Sequence, residues 1–232
     1  MTAFSVKSST SEATKYHLSY EEYLQIASDS RIMEWVDGEV ITYMLPGLIH
    51  QDISEFLSQL IGAFVKIFQL GKMIYAPFEV KLAPNGPSRE PDILFVHNIN
   101  LSRLKDSRFE GAPDLVVEII SPSSVREDKV RKFDEYEQAG VPEYWLIDPR
   151  PRFETAEFFQ LNDEGIYQPA DVDENGRYHS HILTNFWINS DWFWQDPLPN
   201  PQRCLAEIII SNDAFPSTLR QLYQGLYDYL DN

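Results

Sequence analysis

Between His50 and Phe68 the residues Ile53, Phe56, Leu57, Leu60, Ile61, Phe64, Val65 and Phe68 recur at the spacing of one helical face, which predicts the longest helix of the chain. Gly71 follows it as a stop signal. Ahead of it, "LSYEEYLQIAS" opens with Ser19 and Glu22 in capping-box spacing, the start of a short helix. "RIMEWVDGEVITYML" then reads as a hairpin turned at Asp37-Gly38. Three strand-like runs follow, "MIYAPFEVKLA", "DILFV" and "DLVVEII", separated by polar, turn-rich loops. "SPSSVREDKVRKFDEYEQAG" reads as a second helix ending at Gly140, and "EYWLID" as a strand ending at Pro149.

After residue 150 the pattern changes to short strand-like pieces, "TAEFFQL", "GIYQPA" and "RYHSHIL", between acidic turns, as in an antiparallel meander. The aromatic run "FWINSDWFW" comes next. Leu219, Leu222, Tyr223, Leu226 and Leu230 then predict a terminal helix. The sum is a mixed α/β domain with an antiparallel extension. We expect a flexible tail over 1–15, a domain over 16–200 with its core ending near 150, and a helical extension over 201–232.

Composition adds limits. No stretch reaches the roughly 18 apolar residues of a membrane span, and the N-terminus lacks the apolar run of a signal peptide. A single cysteine, Cys204, excludes an intramolecular disulfide framework and suits a reducing cytoplasm, where we expect the protein. The net charge of -17 speaks against simple coating of nucleic acid. Residues 66–132, however, hold eleven basic and nine acidic side chains, a net of +2 that leaves -19 for the remainder. A polyanion would approach through this middle segment.

The chemistry starts from one oddity. "DLVVEII" has the composition of a strand buried on both faces, yet Glu118 stands at its centre. A lone buried charge costs several kcal/mol or more, so it must neutralise, pair or bind a metal. Asp92 opens the preceding strand, and if the two strands are neighbours the acids can face each other. Two oxygen donors with open positions are what Mg²⁺ takes up. Lys132, on the next helix, could orient a water or neutralise charge on a phosphoryl group. Glu34, in "MEWVDGE", could add to the ligand set or order a water.

Plainer readings stand beside these. Asp92 also reads as a turn residue, Lys132 as a surface partner of Asp128, Glu34 as a solvated acid, and Glu118 as the partner of a core Arg or Lys. His50 reads as a hydrogen-bonded structural residue at the helix start. Cys204 has no neighbouring His, and zinc spacing, a Gly-x-Ser-x-Gly elbow and a phosphate-binding Gly-rich loop are all lacking. The tryptophans suit a core or a subunit contact better than base stacking.

Taken together, "EPDILFV", "PDLVVEIISPSS" and "DKVRKFDEYEQAGVPEYWLIDP" resemble the Uma-type restriction endonuclease family, a branch of the PD-(D/E)XK nuclease superfamily. "MEWVDGEV", the histidine of "PGLIHQDI" and "HSHILTNFWINSDWFWQDPLP" fit the same pattern, so the resemblance runs over roughly 17–200. It implies a restriction-endonuclease-like core, a mixed central sheet flanked by helices, with the site at one end of the central strands. It further implies that Asp92 and Glu118 match the acidic metal ligands and Glu34 the glutamate beside the site. Where (D/E)XK expects lysine the chain has Ile120, and Lys132 fits a position that has moved to the following helix, with Lys129 as a neighbouring alternative. The expected activity is Mg²⁺-dependent phosphodiester hydrolysis (Mn²⁺ as substitute), with DNA as substrate, a homodimeric protein and no membrane partner. The competing expectation is a catalytically idle, homo-oligomeric interaction module of the same fold. A weaker one is a glycosidase using Asp92 and Glu118 as acid and base.

Overall fold

The computed structural model describes residues 14–26, 33–42 and 47–231. Residues 1–13 of the expected tail, and the far ends of the first helix and of the hairpin as read in the sequence, lie outside them. The chain begins with β1 (Thr14–His17) and α1 (Tyr20–Ile26). At the start of α1 the capping box closes in both directions: the Ser19 amide donates to Glu22 Oε2 at 2.8 Å and the Glu22 amide to Ser19 Oγ at 3.2 Å. The hairpin is β2 (Met33–Val36) and β3 (Glu39–Thr42), with Asp37 and Gly38 both at positive φ, as a two-residue primed turn requires.

The long helix α2 spans Leu48–Ile67 and buries Ile53, Phe56, Leu57, Leu60, Ile61, Phe64 and Val65. Each such side chain contributes about 1.5–3 kcal/mol of burial free energy, so this face fixes the helix against the sheet. Its left-handed terminus is taken by Gln69 (φ 52), and Gly71 serves another purpose. It begins β4 (Gly71–Tyr75), where a Cβ would run into the Val96 carbonyl oxygen. The expected run "MIYAPFEVKLA" is two strands. β4 joins one sheet and β5 (Glu79–Lys81) the other.

β6 (Ser88–Arg89), β7 (Ile93–His97), β8 (Arg108–Glu110), β9 (Leu115–Ile119), α3 (Phe133–Ala139), β10 (Glu143–Asp148), β11 (Thr155–Leu161) and β12 (Tyr167–Pro169) follow. The ribbon β13 (Arg177–His179) and β14 (Trp187–Asn189) comes next. The described chain closes with α4 (Pro201–Ile210) and α5 (Ser217–Leu230), two helices within the expected helical extension. The main sheet has the order β12-β11-β10-β9-β7-β4, with β9 and β10 parallel and its other pairs antiparallel. A second sheet runs β1-β3-β2-β6-β5-β8.

Alternation along the main sheet sorts its side chains into two cores. Ile93, Phe95, Leu115, Val117, Ile119, Trp145 and Ile147 pack with α2, α4 and the aromatic residues Trp187, Trp192 and Phe193. The "FWINSDWFW" run is thus largely core. On the opposite face Leu94, Val96, Val116, Ile120, Tyr144 and Leu146 pack with Tyr136 of α3. Glu118 falls on this second face by the period of two along a strand.

A second buried acid, Glu143 at the start of β10, is consumed structurally. Its Oε1 accepts the Trp145 indole N–H at 2.7 Å, and Oε2 accepts Ser180 Oγ and the amides of His181 and Ile182 at 2.9–3.1 Å. Replacing Glu143 by Ala strands those donors in the core and is expected to cost about 3 kcal/mol, read as a fall in the urea midpoint with an unchanged m-value.

Candidate functional site

β7 and β9 are neighbours, paired antiparallel with Ile93 opposite Val117. Continuing that register by one residue sets Asp92 opposite Glu118. Both acids therefore stand at one end of the main sheet, on the face that α3 covers. Asp92 Oδ2 accepts the Ile119 amide at 2.7 Å and lies 3.2 Å from His50 Nε2, which reaches over from the first turn of α2. For His50, burial favours the neutral ring, but the hydrogen bond and charge of Asp92 outweigh it and hold the pKa above its ordinary value.

The segment Glu127–Lys132 is a π-helical turn leading directly into α3. Such widened turns are rare and recur at functional sites. Here it directs Asp128 and Lys132 inward. The Lys132 ammonium lies 2.9 Å from Glu118 Oε1, 3.0 Å from Glu34 Oε1 and 3.1 Å from Asp128 Oδ1. An ammonium has three donors, and three carboxylates surround it. Tyr136, one turn on, donates its hydroxyl to Glu118 Oε1 at 2.8 Å. The plain reading of Lys132 as a surface partner of Asp128 fails on burial, since only 4% of the lysine is exposed. Lys129 instead pairs outward with Glu157 at 3.3 Å and Asp148 at 3.6 Å.

Glu34 is fully buried, not a solvated surface acid. Its Oε1 also accepts the Glu90 amide at 3.2 Å, and its Oε2 accepts Arg89 at 2.8 Å. Arg89, likewise fully buried, forms a two-point bond with Glu135 at 2.6 and 2.8 Å and lies 3.6 Å from Glu127. The structure thus brings Glu34, Asp92, Glu118 and Lys132 into one cluster joined by direct or one-residue contacts. Sequence reasoning missed Arg89 as its anchor. The available signal was its position in "SREPD", three residues before Asp92, in a strand too short to be recognised by periodicity.

Carboxylates outnumber cations here. Burial raises the Glu118 pKa well above its ordinary range; Lys132 opposes this, while Asp128, Asp92 and Glu34 add to it. Burial raises Asp128 in the same way. The protein hydrogen bonds to Glu118 fall on Oε1 and those to Asp92 on Oδ2, so each acid keeps an oxygen that no described residue hydrogen-bonds. Among the described residues no three His, Cys, Asp or Glu side chains form a ready-made cage. Two hard oxygens in an electronegative setting fit Mg²⁺, which retains several waters, better than they fit zinc or calcium. Access comes from the Asp92 side, where 13% of the side chain is exposed against 3% for Glu118.

A mixed sheet backed by helices, with two acids at the ends of adjacent strands and a lysine from the next helix, is a restriction-endonuclease-like arrangement. The chain belongs to the Uma2 family, described as "Putative restriction endonuclease", whose model matches residues 20–191. Both C-terminal helices lie beyond that match. A similar solved structure is that of "a putative nuclease belonging to DUF820" from Anabaena variabilis. It is 18% identical, with 75% of this chain and 96% of that chain covered and a TM-score of 0.60, a likeness of fold. No curated protein matches this chain.

Removing Arg89 would leave Glu34, Glu127 and Glu135 facing one another. Arg89→Ala is expected to cost about 3–5 kcal/mol in urea unfolding. Adding Glu34→Gln should recover at least about 1 kcal/mol, because the two side chains share one interaction.

Proposed function

We propose that this protein is a Mg²⁺-dependent endonuclease that hydrolyses phosphodiester bonds in DNA. The observation that carries the reading is the pair of acids on adjacent strands, each with a spare oxygen, beside the Lys132 ammonium. Asp92 and Glu118 would hold the ion, with Mn²⁺ as a substitute, and the ion would supply Lewis-acid stabilisation of a phosphoryl group. The chain's own residues do the rest. Lys132 orients the attacking water and offsets negative charge that builds on the phosphate. Glu34, held by Arg89, fixes where that ammonium stands. Tyr136 holds Glu118 in its rotamer. What matters for rate is the position of the ammonium relative to the scissile phosphate, not the backbone segment that supplies it.

The DNA assignment is supported by the family's description as restriction endonucleases. A homodimer is supported by Leu222, Leu226 and Tyr229, exposed at helical spacing on α5, where a second copy could cover them. Among the described residues no helix is long and apolar enough to cross a membrane, and the only thiol, Cys204, is buried with its pKa pushed up to about 12. A reducing cytoplasm is consistent with both.

One observation favours the second reading, an idle interaction module: Glu118 and Lys132 already touch at 2.9 Å and only 2% and 4% of them are exposed. Calorimetry separates the two. The nuclease reading expects uptake of Mg²⁺ or Mn²⁺ at millimolar concentration that is lost in Asp92→Asn. Absence of uptake in the wild-type protein would favour the idle module.

Activity follows the same residues. With Mg²⁺ and plasmid DNA, Asp92→Asn, Glu118→Gln and Lys132→Met are each expected to lower nicking by about 100-fold or more, while circular dichroism shows the fold retained. Full activity in any one of them contradicts its assigned role.

A further inference from the structure

β10 leaves the main sheet at the same end as the two acids. Leu146 is paired with Glu118 in parallel register, so Asp148 lies one strand across and two residues further along, about 8 Å away. The chain then turns at once through Arg150-Pro151-Arg152-Phe153, closed by a hydrogen bond from the Phe153 amide to the Arg150 carbonyl at 2.9 Å. Proline at the second position and a positive φ of 76 at Arg152 define a type II turn. The third position of such a turn belongs to Gly or Asn, and an arginine there is strained.

The side chains of this turn are outward and partly pre-set. The Arg150 guanidinium is held by Asp148 through two hydrogen bonds, at 2.8 and 2.9 Å. It also lies over the Phe153 ring at 4.6 Å. Phe153 nevertheless stays 58% exposed. Arg152 is exposed and makes no ion pair with any described residue. Of the acids around it, Asp148 is taken by Arg150 and Lys129 and Glu157 by Lys129, while the exposed Glu154, next to Phe153, lines the same hollow. Between this loop and Lys129 lies a hollow of about 560 Å³, within the range that accepts a nucleotide-sized group.

We propose that the turn Arg150–Phe153 is a binding site for an unpaired nucleotide flanking the scissile phosphate, with a base stacked on Phe153 and a backbone phosphate held by Arg152. An aromatic ring stiffened by a guanidinium stacks any base, and only a base out of the duplex presents the required face. A strained, unpaired arginine beside it supplies a charge that packing does not explain. The preferred substrate is therefore DNA with a single-stranded overhang or flap next to the cut. This rests on the nuclease reading and adds to it a substrate class.

The test measures anisotropy of labelled oligonucleotides in EDTA, so that binding is seen without cleavage, alongside Mg²⁺-dependent cleavage. Phe153→Ala is expected to weaken binding of an overhang substrate about 10-fold while leaving a blunt duplex within about two-fold, and Phe153→Trp should restore it. Arg152→Gly should weaken both substrates and lower the salt slope by about one, yet keep or raise Tm because glycine suits the turn. Overhang binding and cleavage unchanged in both variants, with an active wild-type protein, would overturn this site and leave the nuclease reading standing. A wild-type protein that neither binds nor cuts any nucleic acid would overturn both. A fall in Tm of Arg152→Gly in step with its binding would reduce Arg152 to a structural residue and overturn its role here.

Discussion

Four buried charges in a row, Arg89, Glu34, Lys132 and Glu118, set the terms for the rest of the molecule. Each would cost several kcal/mol alone in the interior. They are tolerable only because every one meets an opposite charge at 2.8–3.0 Å. Those contacts come from four separate places: β6 and β2 in the second sheet, the π turn before α3, and β9 in the main sheet. The row therefore works as a registry device. It has its lowest energy only when the two sheets and the helix are docked in one arrangement, and a slip of one residue would bury at least one charge unpaired. Hydrophobic burial on both faces of the main sheet supplies the driving force, while the charges select the arrangement.

The same row bears on the proposed chemistry. Lys132 is held by carboxylates on three sides, so it cannot swing away from the end of β9. In the role proposed for Lys132, preorganisation of this kind would remove the reorganisation cost that a flexible surface lysine carries at the moment of reaction. The excess of acids over cations leaves a negative pocket that a divalent ion would relieve. Asp92 sits at the more open edge, tied to α2 through His50 and to β9 through the Ile119 amide. One acid is thus deep and one shallow, which suits a site entered from a single side.

Much of this was legible in the sequence. The period of α2, the Asp-Gly hairpin, the capping box at Ser19 and the doubly buried strand with Glu118 at its centre each follow from local rules, and tertiary packing agrees with them. The four-residue recurrence of Asp128, Lys132 and Tyr136 is by itself enough to set them on one helical face. What could not be seen were the contacts that depend on docking. Glu34 and Arg89 belong to short strands of the second sheet, paired with each other's neighbours by a single register contact, Trp35 to Ser88. No periodicity survives in elements that short. The π turn was invisible for a related reason, because one widened turn leaves the apolar pattern of a helix almost unchanged. The left-handed Gln69 and Arg152 were hidden too, since composition points to Gly or Asn at such positions.

A protein with a net charge of -17 and a polyanionic substrate poses an electrostatic problem that its architecture answers locally. At physiological ionic strength charges more than about 8 Å apart across solvent are largely screened, so an approaching phosphate responds to the patch it meets and not to the total. Arg126, Lys129, Arg150 and Arg152 all lie near the end of the sheet where β9 and β10 finish, on the π-turn segment and the strand-exit loop. The acidic excess is spread over the rest of the chain, with a net of -6 over 1–65, -5 over 133–149 and -8 over 150–232. A nucleic acid would therefore find its most favourable local field near the end of the sheet that also carries the buried acids. Stacking and shape must then supply specificity, which is the kind of recognition that an exposed aromatic ring beside an unpaired arginine can provide.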